Sequence, residues 1–114
     1  MTLKTLATDA MPYEEAMLNQ KPTLIEFYAD WCTTCQSTSA TLKKLHQQYG
    51  EQINFVMLDI DNPKWATQIV DYKASGVPQF TLTTGDQQAV ATWVGKLPQS
   101  IFTGAFDQVL AAAL

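Results

Sequence analysis

Long hydrophobic runs are missing from this sequence. No apolar stretch approaches the roughly 20 residues that span a bilayer, and no secretory signal pattern opens the chain. A membrane role is therefore expected only through an anchor or targeting segment outside these residues. Positive charge is also scarce. Seven basic residues stand against eleven acidic ones, for a net charge of −4, and Lys43-Lys44 is the only basic cluster. Nucleic acid and anionic membrane surfaces are excluded as expected partners. Repeats, low-complexity tracts and internal linkers are absent, so residues 1–114 are expected to form one domain. That length can bury a real core without disulfide staples. The composition is globular, with 46% hydrophobic and 11% aromatic residues.

Cysteine is limited to two residues, and both fall in Cys32-Thr33-Thr34-Cys35. The pair follows an apolar run, Leu24 to Ala29, and precedes a stretch that can be helical. Two cysteines at that spacing can close a small disulfide and reopen it. The first sulfur would lie at a helix N-terminus, where free N–H groups and the macrodipole favour an anion. Such a site lowers a thiol pKa and yields thiolate, the species that attacks disulfides. Cysteine count does not fix the compartment, because a redox-active pair can serve in either kind.

Strands and helices alternate along the chain. Leu3 to Leu6 reads as a short first strand, and Asp9 as the cap of a helix with Pro12 in its first turn. Thr23 to Ala29 reads as a central strand buried on both faces. A helix is expected from about Cys32 to Tyr49, ending at Gly50. Ile53 to Ile60 is the next strand, and Pro63 opens a helix reaching Tyr72. Gln79 to Thr83 and Ala89 to Val94 flank the turn signal Thr84-Gly85-Asp86. Pro98 starts the last helix, with Phe102, Phe106 and Leu110 on one face. The order predicts an α/β fold with a sheet covered on both faces and an antiparallel closing hairpin.

Phe27-Tyr28-Ala29-Asp30-Trp31-Cys32-Thr33-Thr34-Cys35 resembles the active-site segment of the thioredoxin superfamily, and Gly76-Val77-Pro78 resembles its cis-proline loop. Glu26 to Cys32, Asn54 to Leu58, Lys64-Trp65 and Gly95 to Pro98 are most similar to one branch, the TxlA type. Its members are membrane-anchored thioredoxin-like proteins of cyanobacteria and chloroplasts that pass reducing equivalents to proteins in the thylakoid lumen. The resemblance implies a thioredoxin fold, with a central mixed five-stranded sheet flanked by four helices. It implies a monomeric thiol–disulfide oxidoreductase that reduces protein disulfides, refilled by an upstream electron-donor protein. The redox-active disulfide Cys32–Cys35 would be its only redox group, with no cofactor and no metal. The implied location is the thylakoid membrane, domain facing the lumen; the alternative is cytoplasmic.

The resemblance also implies roles. Cys32 should be exposed and attack, forming a mixed disulfide, and Cys35 should resolve it. Glu26, standing where the family usually has a buried Asp, is the candidate base for Cys35. Trp31 and Val77 would rim the docking site, and a cis Pro78 would set the Val77 backbone beside the cysteines to pair with a substrate strand. Departures are visible. Thr33-Thr34 replaces Gly-Pro, Met57 stands where a Lys often neighbours the acid, Ala40 replaces a helix-kinking proline, and Ser37-Thr38-Ser39 is unusually polar.

Each reading has a plainer competitor. The cysteines could be half a zinc site, with His46 the only other soft ligand, or an inert disulfide in a protein-binding module. Glu26 could be a solvated strand-end carboxylate, and Pro78 a trans turn proline. Trp65, Trp93, Phe102 and Phe106 read as packing, His46 as a solvent-facing helix residue, and Asp30, Asp59 and Asp61 as solvated loop or strand-end acids.

Overall fold

The computed structural model describes residues 3–113. Strand β1 (Thr23–Tyr28) is its centre, and all six of its residues are buried. It pairs in parallel with β2 (Asn54–Asp59) and antiparallel with β3 (Gln79–Thr83), which pairs antiparallel with β4 (Ala89–Val94). The sheet order is β2-β1-β3-β4, a mixed sheet of four strands. Among the described residues five helices surround the sheet: α1 (Leu3–Asp9), α2 (Tyr13–Ala16), α3 (Thr33–Tyr49), α4 (Ala66–Asp71) and α5 (Gln99–Ala112). A single 3-10 turn, Pro63–Trp65, leads into α4, with the Asn62 carboxamide accepting from the Lys64 N–H at 3.0 Å.

The expected five strands and four helices are corrected at the N-terminus. Leu3 to Leu6 belongs to a helix. The spacing explains why. A strand would send residues 3 and 6 to opposite faces, whereas one helical turn puts both on the same face. Both leucines are buried. Leu3 joins the cluster around the cysteines, and Leu6 joins the main core. Asp9 ends α1 instead of capping the next helix, which starts after Pro12. The intervening chain is tied to the sheet by the Met11 N–H, which donates to the Phe55 carbonyl at 2.9 Å.

Alternation along β1 divides the core. Leu24 meets Leu42 and Leu45 of α3 and Phe102 and Phe106 of α5. Ile25 and Phe27 point the other way, onto Ala16, Ile69 and Tyr72. Phe106 holds edge-to-face contacts with Tyr49 and Phe55, centroids 5.1 and 5.8 Å apart. These contacts position α3 over the sheet.

Phe106 is fully buried at that junction. Phe106→Ala should therefore cost about 3–5 kcal/mol, read from chemical denaturation. Val90→Ala on the exposed face of β4 is the control, with an expected change under about 0.5 kcal/mol. Equal effects would contradict this division of the core.

Candidate active site

Three strand ends meet at one edge of the sheet. Tyr28 at the end of β1 pairs with Asp59 of β2, and Phe27 pairs with Gln79 at the start of β3. The segments that follow β1 and β2 and precede β3 must therefore converge. They carry Trp31 to Cys35, Ile60-Asp61 and Gly76-Val77-Pro78.

Cys32 is the N-cap residue of α3, and Cys35 lies in its first turn. The two are joined in a disulfide, with Cα atoms 5.2 Å apart. The Cys35 backbone N–H donates to Cys32 Sγ at 3.1 Å. One of the free N–H groups in the first turn of this 17-residue helix is thus aimed at that sulfur. Cys32 is 5% exposed and Cys35 fully buried. The order matches expectation, but an exposed Cys32 is corrected. In the oxidised pair it packs with Leu3, Tyr28, Ala29 and Cys35.

Val77 packs on the same cluster. The Val77–Pro78 peptide bond is cis, and no hydrogen bond engages the Val77 backbone among the described residues. Trp31 is 65% exposed. With Ile60, Ile69, Ala74, Gly76 and Val77 it lines a groove of about 340 Å³ beside the cysteines. Asp61 does more than solvate a loop: it accepts from the Trp31 indole N–H at 2.9 Å and fixes the ring. Asp59 accepts from the Asp61 backbone N–H at 2.9 Å. Asp30 contributes its carbonyl, which accepts from the Gln36 carboxamide at 3.0 Å. Contacts between residues thirty apart leave no local pattern, so the Trp31–Asp61 bond was not readable in advance.

Glu26 is 2% exposed, and neither carboxyl oxygen has a hydrogen-bond partner among the described residues. Its register partners are Met57 on β2 and Phe80 on β3. Burial pushes its pKa up to about 8. It is no solvated strand-end acid. Glu26 shares a face of β1 with Tyr28, one side-chain repeat or about 7 Å closer to the cysteines. Among the described residues no three His, Cys, Asp or Glu side chains gather to hold a metal. His46 lies eleven residues beyond Cys35 along α3, about 16 Å away.

A family model, Thioredoxin, matches residues 4–107. The chain belongs to the thioredoxin family. It is 42% identical over 111 residues to the thiol:disulfide interchange protein TxlA of Synechococcus elongatus, covering 97% of this chain and 58% of that protein. It is 42% identical over 113 residues to the thioredoxin-like protein HCF164, chloroplastic, of Oryza sativa, covering 99% of this chain and 42% of that one. The chain thus spans about half the length of these curated relatives. Among solved structures, oxidised mitochondrial thioredoxin 3 of Saccharomyces cerevisiae superposes with a TM-score of 0.70 at 26% identity, covering 83% of this chain and 86% of that one. Both the TxlA-type likeness and the thioredoxin fold therefore hold, with four strands in place of five.

The raised pKa of Glu26 has a stability consequence. Unfolded, the carboxyl ionises near 4.5; folded, near about 8. Between these values the folded chain keeps a proton that the unfolded chain releases. The contribution is complete below about 4.5 and is lost as pH climbs to about 8. The loss should amount to a few kcal/mol. Glu26→Gln should remove this slope and melt higher than the parent on the alkaline side. Melting temperature against pH checks it; an unchanged slope would show that Glu26 is solvated.

Proposed function

We propose that this domain reduces disulfides of partner proteins, with Cys32 attacking and Cys35 resolving. The class of chemistry, thiol–disulfide exchange, comes with the family and with the Cys32–Cys35 disulfide. The observation that carries the division of labour is the Cys35 N–H donated to Cys32 Sγ at the start of α3. That donor and the helix dipole favour a thiolate on Cys32 once the pair is reduced.

The steps balance as follows in the forward direction. The Cys32 thiolate attacks one sulfur of the partner's disulfide. A mixed disulfide forms, and the partner's other sulfur leaves as a thiolate and takes a proton from water. Cys35 then gives its proton to the Glu26 carboxylate, directly or through a water, and attacks Cys32 Sγ. The Cys32–Cys35 bond forms and the partner's second thiolate departs. The partner gains two electrons and the domain loses two, which an upstream electron-donor protein must return. Trp31 and Val77 offer the apolar rim against which the partner docks, and the unengaged Val77 backbone is open to pair with an extended segment next to cis Pro78.

The setting we propose follows the TxlA and HCF164 likeness. The domain belongs on the lumenal side of a thylakoid membrane, held by an anchor outside this chain. No helix among the described residues is long and apolar enough to cross a membrane. A purely structural disulfide explains less. A bridge between residues three apart closes a tiny loop and adds roughly 2 kcal/mol at most.

Insulin reduction with a chemical reductant tests the activity. Cys32→Ser should abolish it, and Cys35→Ser should leave a covalent adduct that can be trapped from a native extract and identified by mass spectrometry. Equal residual turnover in the two variants would contradict the assignment. Glu26→Gln should slow resolution about 10²-fold or more while sparing the first attack. Single-turnover kinetics separate the steps, and an unchanged resolution rate would leave water or backbone as the proton acceptor.

A further inference from the structure

Glu26 opens onto a cavity that the cysteines do not line. Its walls include Leu6 of α1, Leu42 and His46 of α3, and Phe55 and Met57 of β2, and its volume is about 20 Å³. A water needs roughly 10–15 Å³ and at least two polar partners. The Glu26 carboxyl, with both oxygens unpartnered, and the His46 imidazole can supply them. The other titratable group facing Glu26 is Tyr28 on its own strand. From α1, β2 and β3 it meets Leu6, Phe55, Val56, Met57 and Phe80. His46 is half-buried, with its ring 5.2 Å from that of Phe55.

We propose that His46 is the proton outlet of Glu26, reached through a water in this cavity. The inference rests on the reading of Glu26 as the acceptor of the Cys35 proton. Each resolution step leaves Glu26 protonated, and it must shed that proton before it can serve again. The route back past the cysteines is closed in the oxidised protein: Cys35 is fully buried and Cys32 nearly so, under Leu3, Tyr28 and Ala29. The cavity gives the other way out. The carboxyl passes its proton to the water, the water passes one to the imidazole, and the imidazolium releases one to solvent. Water and imidazole return to neutral, and Glu26 is left as the carboxylate that the next resolution step uses. Imidazole is the side chain that exchanges protons with water near neutral pH. His46 touches no reacting sulfur. It acts through Glu26 and is a positioning residue in the proton path.

The test is the proton-exchange rate of the Glu26 carboxyl, read by carbon-13 NMR of the labelled side chain in the oxidised domain across its midpoint of about 8. No partner or turnover is needed. The parent should show one averaged carboxyl resonance. His46→Gln and His46→Phe should slow exchange by roughly tenfold or more, broadening or splitting the signal without moving the midpoint. The Phe variant keeps a ring against Phe55 and serves as the folding control. Added imidazole should restore fast exchange in His46→Gln. Unchanged exchange in both variants, or a shifted midpoint at an unchanged rate, would overturn the outlet. The two readings fail separately. If Glu26→Gln leaves resolution intact, the base role falls while the exchange measurement still decides His46. If Glu26→Gln slows resolution and the His46 variants exchange normally, the base role stands and the outlet falls.

Discussion

A carboxylic acid without a partner, at the middle of the most buried strand, is the constraint on which the site depends. An ionised carboxylate there would be costly, because among the described residues nothing bonds to either oxygen and burial is left uncompensated. The chain meets that cost by keeping the group protonated through neutral pH. This works only while β1 is sealed on both faces. Leu24 and Tyr28 flank Glu26 on the α3 side, and Ile25 and Phe27 fill the side of α2 and α4. The aromatic contacts of Phe106 and Phe102 hold α5 against the sheet, and Phe106 ties it to Tyr49 of α3. Packing that looks purely structural is therefore also what sets the protonation state of the acid.

The mixed sheet explains why one edge gathers the functional groups. β2 runs parallel to β1, so the chain leaves both strands at the same end and delivers Trp31 and Asp61 together. β3 runs antiparallel, so its entrance lies at that end and brings Val77-Pro78 beside Cys32 and Cys35. An all-parallel sheet would have sent the β3 entrance to the far end. Helix α3 starts at the same edge, which puts its unpaired N–H groups at the sulfur.

Much of this was legible in the sequence, for identifiable reasons. β1 is apolar apart from Thr23 and Glu26, and its burial on both faces follows from that. The turn residues Thr84-Gly85-Asp86 placed the hairpin, and the Phe102, Phe106 and Leu110 spacing placed the inner face of α5. The N-terminus misled because four residues are too few to show a period, and they do not say that both leucines are buried. Only burial of both Leu3 and Leu6 on the α3 side decides for a helix. Cys32 was expected to be exposed from the family resemblance, and the covering contact of Leu3, nearly thirty residues away, leaves no local pattern. His46 read as solvent-facing for a similar reason. Its ring rests on Phe55 from a different element, which helical periodicity does not record.

Two departures from the usual family pattern now join into one argument. A base is most effective when its pKa lies near the working pH. At about 8, roughly one Glu26 in ten is ionised at neutral pH, yet that fraction is a far stronger proton acceptor than an exposed carboxylate would be. A lysine at position 57 would sit directly across the β1–β2 ladder from the acid. Its charge would stabilise the carboxylate, lower the pKa and weaken the base. Met57 adds only apolar bulk, so desolvation acts unopposed. Glutamate also carries one methylene more than aspartate, which lets the carboxyl reach farther from β1 into the space beneath α3. The longer acid and the missing cation therefore belong together: one sets the reach of the base and the other preserves its strength.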